Sequence, residues 1–71
     1  GSASITLNAA NEIAVEAFLQ NKIAYTAIAG LIENVLGEIT ITGVNTLDQI
    51  LAADQSAREI ARSYINTLQT D

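Results

Sequence analysis

Leu7-Asn8-Ala9-Ala10-Asn11-Glu12-Ile13-Ala14-Val15-Glu16-Ala17-Phe18-Leu19 is the stretch that decides how this chain folds. Its polar residues Asn8, Glu12 and Glu16, with Gln20 beyond, recur at steps of four. That spacing stacks them in one ribbon along a helix. Nearly everything else in the stretch is apolar, so the helix is expected to be buried on most sides, in the centre of a small bundle. Thr6 and Asn8 are both candidate N-caps for a helix over Leu7 to Gln20. Asn21-Lys22 reads as the turn that follows, with Lys22 near the negative end of the helix.

Working outward, Ile28, Leu31, Ile32, Val35 and Leu36 carry the spacing of an amphipathic helix face. A second helix is expected from Thr26 or Ala27 to about Leu36, with Thr26 as N-cap and Gly37 as stop. Gly30 lies inside it. Such a glycine marks either a close approach by another helix or a local defect of about 1 kcal/mol in helix propensity. Ile39-Thr40-Ile41-Thr42 alternates apolar and polar without a partner strand, so residues 38–45 are expected to be an extended connector, with Gly43 and Asn45 favouring a turn. Thr46-Leu47-Asp48-Gln49 fits a capping box. Leu47, Ile50 and Leu51 form a short apolar face; Ala57, Ile60, Ala61, Tyr64, Ile65 and Leu68 continue a stripe. Asp54 would fall on that stripe, which favours a short helix followed by a longer one capped at Asp54. Asp54 and Arg58, four apart, are placed to pair.

The fold class expected is therefore all-α: a small bundle of three to four helices with one extended connector. Gly1-Ser2 reads as the scar of a removed tag, which leaves residues 1–5 as remnant and linker and 6–71 as a single helical domain. The chain has 71 residues, and twelve of its apolar residues are alanine. Its core is then small and aliphatic, and its stability only a few kcal/mol.

Composition removes most chemistry. Without Cys or His there is no disulfide, no thiolate or imidazole metal site and no histidine base. Ser4, Ser56 and Ser63 have nothing to activate them. Gly30 and Gly37 do not build a phosphate-binding loop. Eight acids against Lys22, Arg58 and Arg62 give a net charge of −5, which disfavours nucleic acid and anionic membranes as partners. No apolar run approaches the roughly 20 residues of a membrane span.

The remaining candidates are weak. Glu12 and Glu16 share a ribbon and could hold a metal, but no further ligand accompanies them. Asp48, Asp54 and Glu59 read as helix-start and surface acids. Tyr25 and Tyr64 read as half-buried anchors with wet hydroxyls. Arg58 and Arg62, one turn apart, could grip one anion. Asn45-Thr46-Leu47 is the nearest approach to the Asp-Ser-Leu of acyl carrier proteins, with Thr in place of the modified Ser. No catalytic, cofactor-binding or metal-binding residue is assigned.

Leu7 to Val15 with Ala17-Phe18-Leu19 resembles the C-terminal region of 1-deoxy-D-xylulose 5-phosphate reductoisomerase. The resemblance continues through Lys22-Ile23-Ala24-Tyr25-Thr26-Ala27-Ile28, through Thr46 to Asp54, and at Ala57-Arg58-Glu59; it is poorest from Gly37 to Val44. It implies a helical C-terminal domain that braces the catalytic part of an isoprenoid-pathway enzyme. That full-length enzyme uses NADPH and a divalent metal, through motifs that match nothing here. It further implies that the fragment is inactive alone, with the missing catalytic domains as its partner, self-association through uncovered apolar surface, and a cytoplasmic location (plastid in a plant or alga). The alternative reading is a free-standing acidic helical interaction module.

Overall fold

The computed structural model describes residues 2–39 and 45–69. It has three helices: α1 (Ser2–Leu19), α2 (Ala27–Glu38) and α3 (Leu47–Gln69), each packed on both of the others, with no strand among the described residues. The expected all-α bundle is thus a three-helix one. Arg58 of α3 reaches Glu12 of α1, and further along, Ile65 and Gln69 line one groove with Ile13 and Gln20. The chain therefore runs up, down and up, with α1 and α3 parallel. At about 1.5 Å per residue, the 23 residues of α3 account for most of the 39 Å long axis.

The core divides by side-chain size. On α1 the buried stripe is Thr6, Ala9, Ala10, Ile13, Ala14 and Ala17; on α3 it is Ala57, Ala61 and Ile65. Alanine faces let helix axes come toward the near end of the usual 8–10 Å range. From α2, Leu31 and Val35 enter the same cluster at 0% exposure, and Ile23, from the stretch between α1 and α2, belongs to it too. Burying each of the large aliphatic side chains contributes about 1.5–3 kcal/mol.

α1 differs from expectation in two ways. It starts at Ser2, so residues 2–5 of the stretch read as remnant and linker are helical, and Thr6 and Asn8 lie inside the helix rather than capping it. Thr6 opens the buried stripe, and tertiary burial overrides its preference for a cap. The helix is also not covered on most sides: Leu7, Val15, Phe18 and Leu19 are all exposed, Leu19 at 72%. Two neighbouring helices cover only about one face of a third. The C-terminus matches expectation and closes as a Schellman motif. Asn21 takes the left-handed conformation (φ 60°). The Lys22 N–H donates to the Ala17 carbonyl at 2.8 Å and the Asn21 N–H to the Phe18 carbonyl at 3.0 Å.

Thr26 stands at the N-cap position of α2, but its backbone is already helical and its hydroxyl makes no capping bond. The carbonyls of Ala24 and Tyr25 accept from Ala27 and Ile28 instead. Gly37 is not the stop. It has no positive φ, and the helix ends where Ile39 turns extended. Of the expected connector, Glu38 is helical, Ile39 is extended, and residues 40–44 lie outside the described residues.

The capping box at the start of α3 is complete. Thr46 Oγ1 accepts from the Gln49 N–H at 3.1 Å, and Gln49 Oε1 accepts from the N–H groups of Thr46 and Asn45 at 3.2 and 2.8 Å. The helix then runs unbroken to Gln69, so the two-part reading is corrected. Asp54 does not cap a second helix, because its carboxylate is satisfied by Arg58 one turn on.

Gly30 is a place of close approach: a Cβ there would lie 3.3 Å from the Tyr64 hydroxyl. Gly30→Ala should leave stability nearly unchanged, since the propensity gain is offset by displacing that hydroxyl. In a Tyr64→Phe background the same change should stabilise by about 1 kcal/mol. Equal effects in the two backgrounds, measured by urea unfolding, would contradict the contact. Thr6 supplies a second test. Its hydroxyl is fully buried without a hydrogen-bond partner, and such a group costs about 1–3 kcal/mol. Thr6→Val should therefore raise the urea midpoint by the equivalent of about 1 kcal/mol; a fall would mean that the hydroxyl is satisfied.

Candidate functional site

The polar side chains that join two helices centre on Arg58. Its Nε donates to Asp54 Oδ2 at 2.7 Å, and its Nη2 donates to Glu12 Oε2 at 2.5 Å and to Asp54 Oδ1 at 3.3 Å. The Asp54 arm is local, one helical turn within α3. The Glu12 arm spans 46 residues of sequence and ties α3 to α1. The guanidinium fork suits this double grip, since it offers fixed, divergent N–H donors. The Arg58 side chain is 25% exposed, Asp54 34% and Glu12 56%.

Hydrogen bonds to Asp54 and then to Glu12, with the charges of both, hold the Arg58 pKa well above its ordinary value, and burial opposes them. The sign follows from linkage: a raised cation pKa stabilises the fold below the ordinary arginine range and loses that effect only far above it. Arg58 is therefore a permanent cation at any working pH. Two carboxylates occupy it, so it is a structural tie and offers little to a free anion.

The other residues singled out in the sequence have separate surroundings. Arg62 does not join Arg58; it lines a groove of about 250 Å³ with Lys22 and Glu16 at the C-terminal end of α1. Glu12 is bonded to Arg58, Glu16 also lines a second, shallower groove together with Glu12 and Arg58, and no group of three or more acids that could hold a metal forms among the described residues. The Thr46 hydroxyl of the carrier-like Asn45-Thr46-Leu47 accepts the Gln49 N–H in the capping box. Asp48 sits in the first turn of α3, where a negative charge is favourable, and Glu59 accepts from Gln55 at 3.0 Å. Ser4, Ser56 and Ser63 are exposed. Tyr64 is half-buried as expected. Tyr25 is not: it is exposed and meets Phe18 edge-on, centroids 5.6 Å apart.

Sequence reasoning missed the Glu12–Arg58 tie. The Asp54–Arg58 arm shows in the spacing, but nothing in the spacing gives the register between α1 and α3. The apolar face of Leu47, Ile50 and Leu51 does exist on α3, yet it points to solvent at 68%, 39% and 58% exposure. With Leu7, Val15 and Leu19 on α1, it makes this small bundle rich in uncovered aliphatic surface.

Arg58→Gln should lower the urea midpoint, and Arg58→Lys should recover only part of the loss, because an ammonium is a compact point charge without the fixed, divergent donors of the guanidinium. Glu12→Gln should cost little once Arg58 has been replaced. Strictly additive losses in that double-mutant cycle would show that the tie carries no coupling. High salt should narrow the gap between wild type and Arg58→Gln.

Residues 1–60 match the family model of the DXP reductoisomerase C-terminal domain. Among curated relatives, the 1-deoxy-D-xylulose 5-phosphate reductoisomerase of Pseudomonas putida is 52% identical over 64 residues, which is 90% of this chain. That of Pseudomonas aeruginosa is 51% identical over 92% of the chain, and that of Ralstonia pickettii 48% over 94%. The chain spans only 16–17% of the length of these relatives. A match over 60 of 71 residues, with about half the positions shared, places the chain in the DXP reductoisomerase family, within its C-terminal domain.

Proposed function

We propose that this chain is the bracing part of a DXP reductoisomerase, inactive by itself, which packs against the catalytic portion of the enzyme. The observation that carries the reading is the match of residues 1–60 to the C-terminal domain of that enzyme, in a chain that spans 16% of its relatives' length. The full-length enzyme would convert 1-deoxy-D-xylulose 5-phosphate to 2-C-methyl-D-erythritol 4-phosphate with NADPH and a divalent metal. The donor set of this chain does not fit that metal: Glu12 is bonded to Arg58, and Glu16 shares its groove with Lys22 and Arg62. Nor does the sequence hold a glycine-rich loop to cradle the phosphates of the cofactor. Metal and cofactor would therefore be held by other parts of the enzyme.

The bracing reading gives the exposed aliphatic side chains a purpose. Leu47, Ile50 and Leu51 at the start of α3, and Leu7, Val15 and Leu19 along α1, are the surfaces that a larger protein would cover. Left uncovered, the same surfaces favour self-association of the isolated chain. The relatives are bacterial, which supports an enzyme that works in the cytoplasm; in a plant or alga it would work in the plastid. Among the described residues no helix is long and apolar enough to cross a membrane.

The test is NADPH oxidation by the full-length parent with and without residues 6–71. Truncation should abolish turnover and lower the thermal midpoint of what remains. Unchanged activity together with unchanged folding would remove the bracing role and favour a free-standing interaction module.

A further inference from the structure

No further inference is drawn: the strongest candidate, the groove of about 250 Å³ between the C-terminal turns of α1 and α3, sets Lys22 and Arg62 beside Glu16 and near the carbonyl ends of two parallel helices, so its charges are largely balanced within the fold and nothing in the structure shows what would fill it.

Discussion

The close seating of α1 on α3 through alanine is the constraint on which the rest of the bundle depends. Ala9, Ala10, Ala14 and Ala17 on one helix and Ala57 and Ala61 on the other are all buried. Faces so small bury little area by themselves. Their effect is geometric: small side chains let two parallel rods approach closely. Leu31 and Val35 enter the shared core from the antiparallel α2 and are its largest fully buried apolar side chains. A larger residue at any of these alanines would push the rods apart and strain the seats of Leu31 and Val35. This division of labour suits a 71-residue chain that has three aromatic residues and leaves many of its large aliphatic side chains uncovered.

Parallel seating also has an electrostatic consequence. Three-helix connectivity sends α1 and α3 the same way, so their carbonyl ends lie at one end of the bundle. Lys22, just past the last turn of α1, lines the groove there, where positive charge is favourable; Arg62 lines the same groove from about two turns before the end of α3. At mid-length Arg58 fixes the longitudinal register by reaching Glu12 while anchored on Asp54. Alanine faces are smooth and specify register poorly. A directional polar tie supplies what they lack, and it sits at the partly wet edge of the interface, where desolvation costs less than in the interior.

Local features of this fold were legible in the sequence, and features that need a second element were not. The capping box of Thr46 and Gln49, the turn at Asn21-Lys22, the amphipathic face of α2 and the Asp54–Arg58 pair all lie within a few residues of one another. Spacing and turn chemistry define such features. The start of α1 at Ser2 depends on Thr6 being buried against neighbours, which no local preference reveals. The continuity of α3 through Asp54 likewise rests on a side chain being satisfied by Arg58 rather than by a backbone N–H. Most instructive is the exposure of Leu19 and Leu47: hydrophobicity marks surfaces to be buried, but three helices are too few to bury them all.

The alanine seat predicts that α1 and α3 are protected as one unit with α2. Amide hydrogen exchange on the 71-residue chain tests this most directly. The slowest amides should lie in Ala9–Ala17, Leu31–Val35 and Ala57–Ile65, and should exchange with a common free energy of opening. Rapid exchange throughout α1 while α3 stays protected would contradict it.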